Sequence, residues 1–349
     1  MRSRIVGQQW NALGAAAFVA AAALTGAPAM AQEKVEVKVG ITVADDSINA
    51  EEGRMWGKLA ELYTNGRVTT KVFPSSQLGK ERAQLEGLVT GSHETFLHIS
   101  AITGKFPSVR FWDLPFLFED TDQVMRTVHS DLWKDWEAEM AKENIVYLGT
   151  FGYGYRQFAI RNKPYNTPAD LVGQKHRIPG GKSKLMLFEA LGANPSTVAM
   201  AELYQALSSG VVDSQDNPIG IIYAQKLHEV TQYMSLLNYN YNPLILIAGK
   251  PFWDKLDKEA QAALKRAAWE VQGWSIKYAE LDDQVYLKKI QDARPDMKIN
   301  TLDPATLPAW REKSKAVYDA FKEEAGPTYA ENVFNVAKGG YYKPGTLGK

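Results

Sequence analysis

Two arginines carry the sharpest chemical signal in the chain. Arg156 falls in segment 155–161, which reads as a strand, and strand alternation puts it on the face of Phe158 and Ile160. A guanidinium on an apolar face needs an anion, and it can grip a carboxylate through two parallel hydrogen bonds that fix position and orientation together. Arg177 stands in a second strand-like segment, 174–178, just before Pro179-Gly180-Gly181. That is the carboxyl edge of a strand, where open α/β sheets bind ligands. Spacing alone leaves two partners open for each arginine, a bound ligand or an Asp or Glu of the protein.

Two polar clusters follow. Asp213-Ser214-Gln215-Asp216-Asn217-Pro218 comes after a helix that ends at Gly210 and reads as a loop, either a solvated turn or one that faces a ligand. Asn238-Tyr239-Asn240-Tyr241-Asn242-Pro243 offers amides and phenols for lining a polar pocket or for capping a crossover strand. Other chemistries fail on spacing. Pro179-Gly180-Gly181-Lys182-Ser183 has the end of a phosphate loop, but His176 stands where its first glycine belongs. Gly152-Tyr153-Gly154-Tyr155-Arg156-Gln157 has two of the three glycines of a dinucleotide loop, yet Gln157 replaces the last and the segment leads into a strand. His93, His98, His129, His176 and His228 form no HExxH motif and no i, i+4 pair, so no metal is expected, and there is no GxSxG elbow.

The elements that must position these residues alternate. Segments 35–41, 67–73 and 95–99 read as strands, with helices at 49–63 and 80–89 between them. This order implies parallel strands with helices on both faces. A second α/β run has strands at 155–161, 174–178 and 195–199 and helices at 183–191 and 201–208. No repeat or low-complexity linker separates the halves, so strands crossing between two lobes are expected to join them and leave a cleft. Segment 257–291 contains no proline, and Ala260, Leu264, Ala267, Val271, Trp274, Tyr278, Leu281 and Val285 step by three or four residues. One long helix across both lobes is expected; a break at Gly273 is the alternative.

Composition narrows the function. Of 349 residues, 40 are basic and 40 acidic, so no global field favours nucleic acid or an anionic membrane. Cysteine is absent, which excludes disulfides, thiolate nucleophiles and Cys-ligated metal. Arg2 and Arg4, the apolar run 12–24 and Ala29-Met30-Ala31 form a secretory signal peptide with cleavage expected near Ala31. That run is too short to span a bilayer, so periplasmic export without stable membrane insertion is expected.

In order along the chain, Phe73-Pro74-x-x-Gln77-Leu78-Gly79, Asp113-Leu114-Pro115-Phe116-Leu117-Phe118, Gly154-Tyr155-Arg156-Gln157, Asn162-Lys163-Pro164, and Lys175-x-Arg177-x-Pro179 form one collinear set. Ala190-Leu191-Gly192-Ala193-Asn194-Pro195, Glu202-Leu203-Tyr204 and Gly210-Val211-Val212-Asp213-x-Gln215-Asp216-Asn217-Pro218 continue it. The set resembles the extracytoplasmic solute-binding proteins of TRAP (tripartite ATP-independent periplasmic) transporters, of the dicarboxylate-binding (DctP) type, over almost the whole chain after the signal. The resemblance implies a two-lobed α/β periplasmic binding protein fold, with a ligand cleft between the lobes and a long helix spanning both. Its expected divisions are a signal peptide at 1–31, a first lobe of 32–153 plus 243–282, and a second lobe of 154–242 plus 283–349.

The implied function is capture of a small organic acid anion, a C4-dicarboxylate, sugar acid or related carboxylate, for delivery to small and large membrane permease subunits. The resemblance places the carboxylate clamp on Arg177, a second charged bond on Arg156 and a neutral one on Asn217; Tyr239, Met200 and His98 complete the expected binding set, with no catalytic residue, metal or cofactor. Departures from the family pattern fall at Ser214-Gln215-Asp216-Asn217, where Gly-Gln-Glu-Asn is common, at Tyr239, often histidine, and at Met200, often phenylalanine. Two competing functions remain. A periplasmic enzyme acting on sugar acids or oxo acids would use His98 or His176 as base; an inert scaffold would bind no small molecule.

Overall fold

In a computed structural model, residues 34–349 are described; the signal segment and its expected cleavage near Ala31 lie outside them. The first alternation is β1 (Val35–Gly40), α1 (Ile48–Tyr63), β2 (Val68–Phe73), α2 (Glu81–Thr90), β3 (Thr95–His98) and α3 (Ser100–Lys105). β1 pairs in parallel with β2 and β3, as the alternation requires. Helices α4 (Thr121–Val128) and α5 (Leu132–Ala141) lead into β4 (Ile145–Tyr155).

The second alternation follows after a single residue. It comprises β5 (Gln157–Ile160), β6 (Lys175–Ile178), α6 (Lys182–Ala190), β7 (Asn194–Thr197), α7 (Met200–Ser208), β8 (Ser214–Asn217), α8 (Ile219–Ala224) and β9 (Tyr233–Leu236). The chain then returns through β10 (Tyr241–Gly249) and α9 (Lys250–Trp253) to α10 (Lys258–Ala293), β11 (Lys298–Thr301), α11 (Leu307–Ala325) and α12 (Pro327–Ala337).

Two sheets result, ordered β2-β1-β3-β10-β4 and β11-β9-β5-β8-β6-β7. They are joined by two strand crossings that run side by side. β4 passes through Arg156 into β5, and the return strand β10 lies antiparallel against β4, with Tyr241 opposite Tyr155 and Asn242 opposite Gly154. Between the sheets the Arg156 N–H donates to the Asn240 carbonyl at 2.8 Å. The expected crossing strands are therefore present, but neither sheet is purely parallel. β10 enters the first sheet against β3 and β4, and β5 lies against β8 and β9, because each crossing reverses the direction in which the chain meets the next sheet.

Two local expectations need correction, and one open choice is decided. The polar cluster at 213–218 is not a loop: β8 is a strand of the second sheet whose four residues are all buried. Of the two readings of Asn238-Tyr239-Asn240-Tyr241-Asn242-Pro243, the crossover strand is the one observed: the segment is the return crossing, and its last three residues begin β10. Arg156 is buried in the gap between two strands, so its burial comes from the crossing and not from alternation within one strand.

Helix α10 runs unbroken for 36 residues, on the order of 54 Å. A Cβ at Gly273 would meet nothing within 4 Å, so that glycine marks no break. Its N-terminal half lies on β4 at close range: a Cβ at Gly152 would stand 2.2 Å from the Ser275 carbonyl oxygen. Farther along, Asp283 accepts from the Gly220 N–H at 3.0 Å, which ties the helix to α8 beside the second sheet. The apolar stripe read from sequence holds only at first. Ala260, Leu264, Ala267 and Val271 are buried, but Leu281 is 60% and Val285 52% exposed, while Ser275, Ile276, Ala279 and Ile290 line the core. On a straight 3.6-residue helix Val285 stands only about 20° from Ala260, so its exposure reflects what packs beside the helix at that point: past Val271 the buried face is the one carrying Ser275, Ile276 and Ala279.

The C-terminal helices strap the two halves. α11 packs on α6, and α12 lies against α4. Tyr329 of α12 donates to the Ser108 carbonyl at 2.6 Å and accepts from the Trp136 indole at 3.1 Å. Among the described residues no helix is long and apolar enough to cross a membrane.

Candidate functional site

The strand crossings create a buried polar centre, and Asp216 is its hub. Alternation along β8 sends Ser214 and Asp216 to one face and Gln215 and Asn217 to the other. The Asp216 carboxylate accepts from the Arg156 Nε–H and from the Tyr239 hydroxyl at 2.6 Å, and meets His176 Nε2 at 3.2 Å. The Arg156 Nη2 group bonds to the Asp216 carbonyl, and Nη1 reaches Asn242 Oδ1 at 3.4 Å. Lys184 Nζ lies 4.0 Å from Asp216 and donates to Asn240 Oδ1 at 2.6 Å and to Tyr239 Oη at 3.2 Å. Burial pushes the Asp216 carboxyl upward, but Arg156, Lys184 and the His176 bond outweigh it and hold the group well below the usual carboxylate range. Burial pulls the Lys184 ammonium down to about 8, with Asp216 opposing.

Arg177 stands on the cavity side of this cluster. It is 1% exposed, and its Nε–H donates to the Val198 carbonyl at 2.8 Å. Its Nη1 and Nη2 groups are buried with no partner in the protein. Burial, followed by the repulsion of Arg156, brings its pKa down to about 10. A buried guanidinium with both terminal nitrogens unpaired costs free energy that an incoming anion removes. Arg156, Arg177 and Lys184 share Asp216 as the carboxylate at the centre of the cluster, so the field here is positive.

Arg177 lines a cavity of about 20 Å³ at the sheet junction, about enough for one water molecule. The second-sheet wall also carries Arg156, Met200 and Asn217; the facing wall carries Thr42, Asn49, Glu81, His98, Ser100 and Tyr153. A wider groove of about 870 Å³ adjoins it and shares Glu81, Ser100 and Pro179. His98 Nδ1 accepts from the Ala101 N–H at 3.3 Å, and burial lowers its pKa to about 4, so the ring is neutral. Among the described residues no group of three His, Cys, Asp or Glu side chains is arranged to hold a metal ion.

Of the six expected binding residues, Arg177, Arg156, Asn217, Met200 and His98 meet in this cavity. Tyr239 does not line it: its hydroxyl is spent on Asp216 and its ring stacks on Phe158 at 5.1 Å. Arg156 takes the protein partner that spacing left open. Asn217 is also engaged, its Nδ2 donating to Gln215 Oε1 at 2.5 Å. His176 is buried behind the cavity with Ser214 and Asp216 at its two nitrogens, and so lacks the access a general base requires. Sequence reasoning did not single out Lys184, Asn49 or Glu81. No local pattern marks them, since each owes its role to a neighbour brought up by the fold.

Two sheets bridged by paired crossings, a long helix spanning them and a buried cationic cavity at the junction define a two-lobed periplasmic binding protein. The chain belongs to the DctP family, bacterial extracellular solute-binding protein family 7, which matches residues 39–324. It is 31% identical over 315 residues to the C4-dicarboxylate-binding periplasmic protein DctP of Rhodobacter capsulatus, covering 89% of this chain and 94% of that protein. It is 30% identical over 241 residues to the 2,3-diketo-L-gulonate-binding periplasmic protein YiaO of Escherichia coli, covering 69% and 74%. A TRAP periplasmic solute-binding protein from Sulfurospirillum deleyianum, solved with bound succinate, superposes with a TM-score of 0.81 at 30% identity over 87% of this chain and 99% of that one. The sugar acid binding protein DctPAm from Advenella mimigardefordensis, solved with galactonate, shares the fold at a TM-score of 0.83, 24% identity and coverage of 88% and 98%.

Proposed function

We propose that this protein captures a small organic acid anion in the interlobe cavity and delivers it to the membrane subunits of a TRAP transporter. The observation that carries this is Arg177, whose two terminal nitrogens are buried without a protein partner. A carboxylate fits that fork with two parallel charge-assisted bonds. Two such bonds of about 1.5–3 kcal/mol each, with shape fit, approach the roughly −8 kcal/mol of a micromolar site. The relatives named for C4-dicarboxylate and diketogulonate binding, and the neighbour holding succinate, support the same ligand class.

In this function Arg156 acts through its field, held in place by Asp216, while Arg177 makes the direct contact, with Asn217, Met200 and His98 around the ligand. A cavity near one water in volume demands that the lobes part for entry and close afterwards. The lobes proposed are 32–153 with 243–282, and 154–242 with 283–349, a division supported by the crossings at Arg156 and at 237–240. Binding and closure complete the role, with neither a catalytic step nor a cofactor, after export to the periplasm and signal removal near Ala31.

A thermal-shift screen of the mature protein against C4-dicarboxylates, sugar acids, 2-oxo acids and aromatic acids tests this. A ligand that closes the cleft raises Tm by mass action. No shift with any acid refutes the proposal, and chemical conversion of a bound acid favours the enzyme instead.

A further inference from the structure

The polar groups reaching the cavity are unevenly divided between donors and acceptors, and that division discriminates among organic acids. On the donor side the charged groups without a protein partner are Arg177 Nη1 and Nη2, and Thr42, Ser100 and Tyr153 bring neutral hydroxyls to the same lining. Arg156, the other cation on the wall, has its guanidinium engaged by Asp216 and Asn242 and offers no second free fork. On the acceptor side, Asn49 sits in the first turn of α1 at 1% exposure, and its Oδ1 is buried without a partner. Glu81, the first residue of α2, also lines the cavity, where its Oε1 accepts from the Met200 N–H at 3.2 Å.

His98 separates the two ends chemically. Because its Nδ1 accepts from the Ala101 N–H, the neutral ring carries its proton on Nε2 and presents a donor. A dicarboxylate is a poor match for this set. Its first carboxylate finds Arg177, but its second finds no unspent cation and stands near the Glu81 carboxylate, a like-charge juxtaposition that counts against it. A hydroxyl fits, since it donates to Asn49 or Glu81 and accepts from His98 in the same place.

We propose, resting on the organic-acid reading above, that the site selects a hydroxylated monocarboxylate over an unsubstituted dicarboxylate, Arg177 holding the carboxylate and Asn49 and Glu81 accepting a hydrogen bond from a ligand hydroxyl. A site built to bond a hydroxyl rejects an analogue lacking it, because a buried acceptor, here Asn49 Oδ1, is then left unpaired.

The test is titration calorimetry on the mature protein with succinate, butyrate, glycerate and erythronate. The hydroxy acids bind at least tenfold more tightly than succinate or butyrate, on the order of one pairing of 1.4 kcal/mol. Asn49→Ala weakens erythronate about tenfold and leaves succinate unchanged, while Glu81→Gln narrows the ratio by strengthening succinate. Succinate binding as tightly as erythronate overturns the selectivity but leaves the organic-acid function standing; no binding by any acid of the wider screen overturns that function itself. Equal losses of both ligands in Asn49→Ala also overturn the selectivity.

Discussion

Replacing Arg177 by methionine separates binding from folding with unusual clarity. The side chain makes one bond to the protein, from Nε to the Val198 carbonyl, and leaves Nη1 and Nη2 buried and unpaired. Removing an uncompensated buried cation while keeping apolar volume is about neutral or stabilising, so the unliganded variant should melt at or above the wild-type Tm. Ligand binding loses two charge-assisted bonds worth about 1.5–3 kcal/mol each, roughly 3–6 kcal/mol together, which is a rise in Kd of about 10²–10⁴. Arg177→Lys keeps the charge but replaces the planar fork by a point donor, and its affinity falls between the two. Isothermal titration calorimetry reads affinity and a thermal melt without ligand reads folding. A methionine variant that binds within about threefold of wild type refutes the clamp; a lysine variant as tight as wild type refutes its bidentate geometry.

Other perturbations probe the support around the clamp. Asp216→Asn leaves Arg156 and Lys184 without the buried carboxylate they share; losing one partner of a buried ion pair costs about 3–5 kcal/mol, so Tm drops by roughly 5–15 °C, and a melt unchanged to about 1 °C would show the hub to be dispensable. Glu52 is fully buried, facing Asp282, its helix neighbour Glu51, the Tyr241 hydroxyl and the Gly152 backbone N–H, and burial, with Asp282 next, raises its pKa well above the usual range despite that backbone group.

Because the folded state then holds this proton more tightly than the unfolded chain, stability falls as pH rises above the unfolded value of about 4.3 toward the folded one. Calorimetric scans should find Glu52→Gln more stable than wild type at pH 8 and less sensitive to pH; identical slopes would show that Glu52 ionises freely. Gly152→Ala places a Cβ 2.2 Å from the Ser275 carbonyl oxygen, a backbone atom that cannot swing aside. Overpacking of this kind costs about 1–3 kcal/mol, visible as a lower Tm, and an unaltered melt would contradict the close approach of α10 to β4.

Much of this molecule is local and therefore readable along the chain. Strands and helices of both alternations fall within a few residues of where hydrophobic period and glycine punctuation put them, and Arg177 announces itself by its place before Pro179-Gly180-Gly181. The absence of cysteine and of histidine pairs excludes whole chemistries at once. The collinear motifs point to the family whose match spans residues 39–324.

What the tertiary structure alone decided is which polar groups become one another's partners. Ser214-Gln215-Asp216-Asn217 has the composition of a solvated turn, yet it is a buried strand because Arg156, His176, Lys184 and Tyr239 surround its carboxylate. The Arg156 partner lies 60 residues away and the Lys184 amide partner 56, and no periodicity within either segment encodes those meetings. Long-range packing also left Leu281 and Val285 outward, since the face of the long helix that is buried changes where its neighbours change, although the stripe itself keeps close to the 3.6-residue period. Local pattern places the elements and gives their period. Whether a buried charge is spent on the protein or left for a ligand depends on what the opposite strand brings, which is why Arg156 and Arg177, equivalent in the sequence, have different roles in the fold.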